Sequence, residues 1–268
     1  MLTDREFLNY HRQICLPDFL EEGQLNLKNS RILLLGCGGL GSAAALYLVG
    51  AGVGQLVIVD DDVVEKSNLQ RQVAYRERDI ASNKSSAMKR QLLSLNSDCS
   101  IRAITERLGE EQLSNEVAAS DVILDCTDSF ESRHLINQVC FQQGKPLISG
   151  AAIGWQGQFI VFDFPNVSPC YQCLYPKQDV SESRRCADMG IIGPVVGTVG
   201  NLQALAAIQK LALGRFECPT QQLKLFDGKT FHWQSLTLEK DTSCTVCGQE
   251  STNPNGTTDC VIAKEVTL

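Results

Sequence analysis

The chain has 268 residues and twelve cysteines, with 43% hydrophobic residues and a formal net charge of -7. This length supports a hydrophobic core without disulfides, and the composition excludes a chain that is disordered throughout. The acidic balance disfavours nonspecific binding to nucleic acid or anionic membranes, so the expected partners are small molecules or another protein. Residues 1–13 mix acids and bases and have no apolar core, which predicts a cytoplasmic protein without a signal peptide.

The first elements in chain order predict a Rossmann-type βαβ unit. A strand is predicted over Arg31–Gly36, a helix over Gly39 to about Val49, and a second strand over Gln55–Asp60. The stretch 32–59 carries no charge and is long enough to span a bilayer. Its seven glycines divide it into a strand, a turn, a helix and another strand, which favours a buried βαβ unit over a membrane span.

Strands and helices continue to alternate downstream, and the pattern then changes. A helix is predicted over Lys84–Asn96, and further strands over 100–106, 121–126 and 146–149. Three segments alternate like half-exposed antiparallel strands, namely Gln156–Phe164, Leu223–Phe226 and Phe231–Leu238. The stretch at Pro194–Leu213 is uncharged until Lys210, and it predicts a buried core helix or a dimer helix. We therefore expect an α/β fold with a Rossmann-like parallel sheet, extended by antiparallel strands in the C-terminal half. One domain should cover residues 1–248, followed by a weakly ordered tail at 249–268.

A glycine-rich loop follows the first predicted strand. The segment 36–41 (GCGGLG) has the GxGxxG spacing, and Asp60 ends the next strand. Glycines let backbone amides approach phosphate at a helix N-terminus, and the acid can accept hydrogen bonds from ribose hydroxyls. By itself the loop predicts a dinucleotide cofactor such as NAD, and a tight turn without a ligand is the structural alternative.

Charged residues after Asp60 favour ATP over NAD. The loops at the carboxyl ends of parallel strands share one crevice, so Asp60, Arg71 and Asp128 can surround a single ligand, with Lys84 nearby. Arginine and lysine neutralise polyphosphate, and a carboxylate binds its Mg²⁺. Taken singly, Arg71 and Lys84 have the alternative of ordinary solvated surface charges.

Cysteine spacing predicts a structural zinc site. Two CxxC pairs, separated by 70 residues, together offer four thiolates at Cys170, Cys173, Cys244 and Cys247. Such a site would act as a clasp that ties the C-terminal segment to the body of the protein. Two redox pairs or four unrelated thiols are the alternatives. Three cysteines inside apolar segments are predicted to be packed, reduced thiols: Cys37, Cys126 and Cys140.

Cys186 lies in a polar, basic stretch in which Arg184 and Arg185 favour its thiolate. A reactive nucleophile and an inert surface thiol both stay open for it. The histidines lie in unrelated contexts, so no Ser-His or Cys-His hydrolase is expected. They are predicted to be hydrogen-bonding or surface residues: His11, His134 and His232.

The ordered set of motifs resembles the ThiF/MoeB family of sulfur-carrier-protein adenylyltransferases. The motifs are GxGGLG, GVGxLxxxD, SNLQRQ, a lysine after DI, LDCTD, CYxCLxP and CxxCG, from about Asp4 to Gly248. The tracts CYQCLYP, RRCADMGIIGPVVGTVG and LFDGK are more similar to the thiamine-thiazole branch than to the molybdopterin branch. The resemblance implies ATP-dependent adenylylation of a ThiS-like, ubiquitin-like carrier that ends in Gly-Gly. It also implies a homodimer that requires Mg²⁺ and Zn²⁺, with a sulfurtransferase or cysteine desulfurase as a further candidate partner.

The resemblance further implies roles for individual residues. It places Mg²⁺ on Asp128 and the nucleotide on Gly39, Gly41, Asp60, Asn68, Arg71, Lys84, Asp128 and Ser129. It makes Asp128, Arg71, Lys84, Arg12 and Cys186 the catalytic set. Arg12 would reach the ATP site of the neighbouring subunit, and Cys186 would join the activated carrier through an acyl disulfide. Ser129 stands where the family usually has asparagine, and Ala81-Ser82 replaces its usual glycine; we expect both changes to tune the site.

Three alternatives stay open. The same chemistry could act on a molybdopterin-synthase-type carrier. An NAD-dependent oxidoreductase with structural zinc would explain the glycine-rich loop and Asp60, but it leaves the SNLQRQ tract and Cys186 without a role. A catalytically silent subunit of a heterodimer is the third alternative, and the intact set of charged residues counts against it.

Overall fold

The computed structural model describes residues 1–164, 168–177 and 190–248. In these ranges the sheet has eight strands, in the order β3-β2-β1-β4-β5-β6-β7-β8. The strands are β1 (Arg31–Leu35), β2 (Gln55–Val59), β3 (Ser100–Ile104), β4 (Val122–Asp125), β5 (Leu147–Ile153), β6 (Gln156–Phe162), β7 (Gln222–Asp227) and β8 (His232–Thr237). The helices are α1 (Asp4–Ile14), α2 (Leu20–Asn29), α3 (Gly39–Gly50), α4 (Lys84–Leu95), α5 (Glu110–Ala118), α6 (Phe130–Gln142), α7 (Tyr171–Leu174) and α8 (Gly193–Leu213). Short 3₁₀ helices cover Lys66–Asn68 and Glu77–Asp79.

The sheet has the predicted combination of parallel and antiparallel strands. Strands β1 to β5 are parallel, and β6 to β8 are added in antiparallel order. The chain winds outward from β1 towards β3, and then returns to continue on the other side with β4. The gap between the carboxyl ends of β1 and β4 is therefore the topological switch point, where ligands bind in open α/β sheets.

Helices cover both faces of the parallel sheet. Along β1, Ile32 and Leu34 join a core that includes α3, α4 and α8. Leu33 and Leu35 point the other way, into a core formed with α5 and α6. A strand buried on both faces must be apolar at every position, which explains the run RILLL. Full burial of each such side chain contributes about 1.5–3 kcal/mol.

Strand β6 is more buried than its alternating sequence predicts. Ile160 and Phe162 lie in one core, and Phe159 and Val161 lie in the other. The prediction of a half-exposed strand is therefore wrong for the second half of β6. The reason is tertiary, because β6 is an interior strand between β5 and β7 and α8 packs across one of its faces.

Helix α8 packs against α3 and the sheet, as expected of a core helix. It begins with Pro194 in its first turn and ends at Gly214, which adopts the left-handed conformation with φ 74°. A side chain at Gly200 would collide with the carbonyl oxygen of Leu40, so the helices α8 and α3 approach closely at this point. Across the described ranges, no helix combines the length and the apolar character needed to cross a membrane. The predicted tail at 249–268 lies outside the described residues.

Candidate functional site

The glycine-rich loop joins β1 to α3 at the switch point. Gly36 has φ 93°, and a Cβ there would lie 2.6 Å from the carbonyl oxygen of Cys126, so only glycine fits. A side chain at Gly41 would collide with the carbonyl of Gly36, and one at Gly39 with Val196. Close packing by itself is therefore enough to require glycine at these three positions. The N-cap of α3, Gly38, makes no side-chain capping bond, which leaves the helix N-terminus open to an anion.

Asp60 braces this loop from the end of β2. Its Oδ2 accepts a hydrogen bond from the backbone N–H of Cys37 at 2.6 Å, and its Oδ1 accepts one from Asp62 at 2.9 Å. The hydroxyl of Tyr75 donates to the carbonyl of Cys37 at 2.6 Å. Burial raises the pKa of Asp60 above its usual value, against the lowering effect of those amides. Each carboxylate oxygen keeps a second lone pair, so Asp60 can still accept from ribose hydroxyls.

Lys84 is a buried cation beside Asp60. It begins α4, is 8% exposed, and its Nζ lies 2.8 Å from Oδ2 of Asp62. Its positive charge acts to lower the pKa of Asp60, and so it opposes part of the effect of burial. The side chain of Asp62 is 71% exposed, so a phosphate can approach Lys84 from the solvent side. The carboxylates of residues 60–62 lie within 4.8 Å of one another. However, Asp60 already accepts a hydrogen bond from the loop, and Asp62 is already paired with Lys84.

The SNLQRQ tract packs against the start of α3. Asn68 is buried, and its Oδ1 accepts a hydrogen bond from the backbone N–H of Glu65 at 3.2 Å. Arg71 is half-buried and donates from Nη1 to the carbonyl of Ser67 at 3.1 Å. The carbonyl of Arg71 lies 3.3 Å from the position a Cβ would take at Gly39. The tract therefore places Arg71 at the same helix N-terminus as the glycine-rich loop.

Asp128 follows the carboxyl end of β4, across the switch point from Asp60. The backbone N–H of Thr127 lies 3.1 Å from the position of a Cβ at Gly36, so this strand end touches the glycine-rich loop. Asp128 is exposed, and the next residue, Ser129, is the N-cap of α6 and accepts from the backbone N–H of Ser132 at 3.4 Å. Serine caps helices about as well as asparagine does, so α6 keeps its N-cap although Ser129 stands at this position instead of asparagine.

Two predicted catalytic residues remain, Arg12 and Cys186, and only Arg12 lies in the described part of the chain. Arg12 is exposed in the last turn of α1, and its neighbour Gln13 donates to the carbonyl of Ala51 at 2.7 Å. Ala51 precedes β2, so α1 is held at the amino edge of the sheet, opposite the switch point. Arg12 therefore does not join the site of its own chain. Cys186 lies outside the described residues.

The four CxxC cysteines converge although the two pairs are far apart in sequence. Cys170 and Cys244 have their sulfurs 3.8 Å apart, and Cys173 and Cys247 have theirs 3.2 Å apart, without a disulfide. All four sulfurs lie within 4.8 Å of one another. In a tetrahedral zinc site with Zn–S bonds of about 2.3 Å, the sulfurs are about 3.8 Å apart. Since a metal ion also removes the penalty for ionising clustered thiols, this donor set fits zinc.

Two buried residues behind Asp128, Arg133 and Asp125, were not predicted from the sequence. The Nη2 of Arg133, in the first turn of α6, donates to the carbonyls of Thr127 and Gly150, the latter at 2.9 Å. Asp125, 1% exposed, accepts from the backbone and hydroxyl of Thr127 and from Ser149. No local signal in the sequence marks Arg133, because its partners lie in other elements of the fold.

The histidine prediction is wrong for one of three residues. His134 is 4% exposed on α6, and neither ring nitrogen has a hydrogen-bond partner among the described residues. Its ring packs edge-on against Tyr171 with centroids 5.4 Å apart, and burial lowers its pKa. His11 and His232 are exposed, as predicted. The three cysteines expected to be packed thiols are buried and free: Cys37, Cys126 and Cys140.

Ala81 carries backbone strain next to the site. Its φ is 67°, in the left-handed region, which costs a residue with a Cβ about 1–2 kcal/mol. We expect Ala81→Gly to stabilise the protein by roughly 0.5–1 kcal/mol, or about 1–4 °C in Tm. Ala119→Gly is the matched control, because Ala119 is also exposed but has φ -80°, where glycine destabilises. Thermal unfolding of both variants shows whether each substitution raises or lowers Tm. A lower Tm for Ala81→Gly would contradict the proposed backbone strain at Ala81.

Comparisons with known proteins agree with this geometry. Residues 10–246 match the sequence model of the ThiF family. A relative from Escherichia coli (strain K12), the sulfur carrier protein ThiS adenylyltransferase, is 46% identical over 253 residues, which is 94% of this chain and 100% of the relative. The adenylyltransferase and sulfurtransferase MOCS3-1 of Drosophila pseudoobscura pseudoobscura is 39% identical over 93% of this chain, which spans only 55% of that relative. The crystal structure of E. coli MccB with ATP is 25% identical, with a TM-score of 0.74 over 84% of this chain and 68% of that chain.

Proposed function

Because this chain belongs to the ThiF family, we propose that it adenylylates the C-terminal glycine of a small ubiquitin-like sulfur carrier of the ThiS type, using ATP. The products are the carrier acyl-adenylate and pyrophosphate, and the activated carrier then receives sulfur for thiazole synthesis. One observation supports the proposal: the segments that carry Arg71, Lys84 and Asp128 lie around the same glycine-rich loop and uncapped helix N-terminus, at the switch point of the sheet.

The proposed reaction is an in-line displacement at the α-phosphate. An oxygen of the carrier carboxylate forms a bond to the α-phosphorus, and the bond to the bridging oxygen of the β-phosphate breaks, so that pyrophosphate leaves with the electron pair. The carboxylate is already ionised at neutral pH, so no protein base is required. The protein lowers the barrier by positioning the reactants and neutralising charge.

Each residue of the cluster has a task in this reaction. The backbone at Gly39 and Gly41 approaches the phosphates, and Asp60 accepts hydrogen bonds from the ribose hydroxyls. Asn68, Arg71 and Lys84 contact the triphosphate, and the two cations offset the charge that develops on the leaving pyrophosphate. Ser129 caps α6 at the edge of the nucleotide site, so it acts there chiefly through the position of Asp128.

Two metal ions complete the proposal. Asp128 holds Mg²⁺, which neutralises phosphate oxygens when it is bound. Cys170, Cys173, Cys244 and Cys247 hold Zn²⁺, and four sulfur ligands leave no open position, so the zinc site is structural. A reducing cytoplasm, which we propose as the location of the protein, keeps these thiols available as ligands.

We further propose that residues 1–248 form one catalytic domain that acts as a homodimer. Since Arg12 lies at the amino edge of its own sheet, it serves the ATP site of the partner subunit and not its own. A sulfurtransferase or a cysteine desulfurase supplies the sulfur after activation.

Carrier-dependent exchange of labelled pyrophosphate into ATP tests the function directly. The assay compares a thiamine-type carrier with a molybdopterin-type carrier, each with and without its last glycine. Exchange with the intact thiamine-type carrier alone supports the proposal, and exchange with the other carrier assigns the chain to the molybdopterin branch. No exchange with either carrier would contradict the proposed activity, and binding of NAD without ATP would then favour an oxidoreductase.

Cys186 is proposed to act after adenylylation. A persulfide on the sulfur donor would first displace AMP from the acyl-adenylate, which gives an acyl disulfide between carrier and donor. The Cys186 thiolate would then attack the carrier-bound sulfur to form its own acyl disulfide with the carrier, and the donor's thiolate would leave. We expect Cys186→Ala to keep pyrophosphate exchange within about twofold while losing the thiol-sensitive carrier conjugate. Mass spectrometry with and without reductant measures the conjugate, and Cys15→Ala, at an exposed cysteine, is the control. Loss of exchange in Cys186→Ala would make the residue structural.

A further inference from the structure

Helix α6 connects the predicted zinc clasp to the loop that carries Asp128. The helix begins two residues after Asp128, and three of its side chains face α7 next to the clasp. Asn137 accepts a hydrogen bond at its Oδ1 from the backbone N–H of Tyr171, at 2.8 Å. Tyr171 follows Cys170 directly, and its ring packs on His134.

The hydroxyl of Tyr171 lies next to Arg133, the buried arginine of α6. Tyr171 is 2% exposed, and its hydroxyl lies beside the guanidinium of Arg133, close enough for the two groups to interact electrostatically. Both side chains line the same small cavity between α6, α7 and the sheet. Tyr171 is therefore fixed from two sides, by Asn137 at its backbone and by Arg133 at its hydroxyl.

Arg133 in turn fixes the end of β4. It is 8% exposed, its charge is balanced by Asp125, and its Nη2 holds the carbonyls of Thr127 and Gly150. A buried guanidinium is costly unless its donors are satisfied, and here Nη2 donates to one main-chain carbonyl just after β4 and to another within β5. Thr127 is the residue before Asp128, so its carbonyl sets the orientation of the peptide that carries the proposed magnesium ligand.

We propose that Arg133 is a positioning residue for Asp128, and that Tyr171, anchored beside the cysteine clasp, holds Arg133 in place. This inference rests on the proposed function, because it assigns Arg133 and Tyr171 to the Mg²⁺-dependent step of that reaction. Removing a contact of either Arg133 or Tyr171 leaves the nucleotide contacts of Lys84 and Arg71 in place. The same change displaces Asp128, so the enzyme binds Mg²⁺ less tightly while its affinity for the carrier stays unchanged.

Tyr171→Phe removes only the hydroxyl and is the first test. Loss of one buried polar interaction corresponds to about a 3- to 10-fold effect. We expect the Mg²⁺ concentration for half-maximal pyrophosphate exchange to rise by about this factor and kcat to fall, with KM for the carrier unchanged. Zinc content and the carrier's KM report whether the fold is intact. Tyr10→Phe is the matched control: Tyr10 is also buried, and its hydroxyl accepts from Asn96, but at the amino edge of the sheet.

Arg133→Lys is the second test, because it keeps a positive charge opposite Asp125 but replaces the longer, planar guanidinium, whose Nη2 holds both carbonyls, with a shorter ammonium group. We expect the same shift in Mg²⁺ dependence, and we expect the double variant with Tyr171→Phe to be no worse than Arg133→Lys alone, since both act through one contact. Equal Mg²⁺ dependence in Tyr171→Phe and Tyr10→Phe would overturn the proposal, and so would additive effects in the double variant.

Calorimetric titration of each protein with Mg-ATP, without carrier, separates this inference from the proposed function. Weaker binding in Tyr171→Phe than in Tyr10→Phe supports the positioning role even if no carrier supports exchange. Absence of exchange in the unsubstituted protein would contradict the proposed function alone. Unchanged Mg-ATP binding in an enzyme that does exchange pyrophosphate would contradict the positioning role alone.

Discussion

Replacing Asp128 with alanine is expected to lower pyrophosphate exchange by about 10²- to 10³-fold while the fold stays intact. The carboxylate is exposed at the carboxyl end of β4, where it faces the glycine-rich loop and packs into no core. Its removal takes away the proposed Mg²⁺ ligand, and with it much of the charge neutralisation of the triphosphate. The exchange assay at saturating carrier measures the loss, and thermal unfolding measures the fold.

Two further variants sharpen this experiment. Asp128→Asn keeps the shape and removes the charge, so it should lose nearly as much activity as Asp128→Ala. Asp98→Ala removes an equally exposed carboxylate, which pairs with Arg5 at 3.7 Å near the amino end of β3, and should leave exchange unchanged. If Asp128→Ala retained exchange within a few-fold of the unsubstituted protein, Asp128 would have no part in the mechanism.

Loss of the metal from the cysteine clasp is expected to reduce the free energy of unfolding by about 3–5 kcal/mol, or roughly 10 °C in Tm. The clasp joins two segments 70 residues apart in sequence, and its sulfurs lie 3.2–3.8 Å from one another across the two pairs. Without a cation this cluster of thiols has no strong interaction to hold it together. The C-terminal segment after β8 should then separate from α7 first, because the clasp cysteines form their own small core there.

Cys244→Ser tests the clasp in the full chain, with zinc measured by metal analysis and Tm with and without a chelator. We expect less than one zinc per chain, a lower Tm, and no further fall in Tm on chelation. Cys218→Ser is the control, because Cys218 is half-buried and belongs to no cluster, so it should change stability by less than about 1 kcal/mol. A chelated, metal-free protein that melts at the temperature of the untreated protein would exclude a structural zinc.

Much of the fold could be predicted from local patterns. The run Arg31–Leu35, the glycines after it and the apolar Gln55–Val59 define one βαβ unit, because each has the periodicity and the turn residues of its element. Most predicted strand ends differ from the observed ones by at most two residues, but β5 continues four residues beyond its predicted end because it pairs with β6. The burial of β6 was underestimated, because its interior place in the sheet follows from long-range pairing.

The site was predictable as a set of residue types and only in part as a set of contacts. Sequence motifs indicated Asp60, Lys84 and Asp128, and the structure adds that Asp60 braces the glycine-rich loop. Nothing local distinguishes Arg133 from a surface arginine. Its role depends on the carbonyls of Thr127, just after β4, and of Gly150, within β5, which are 6 and 17 residues away in the chain.

The sequence by itself determined the class of the fold, the glycine-rich loop, the four clasp cysteines and the family, because each depends on residue type at short spacing. The tertiary structure alone decided that β6 is buried on both faces, that Arg133 holds carbonyls from two other segments, and that His134 is buried with no hydrogen-bond partner among the described residues. These features depend on strand order and on packing between distant segments. Local propensity carries no information about them, since the contacts form only when the chain brings those segments together.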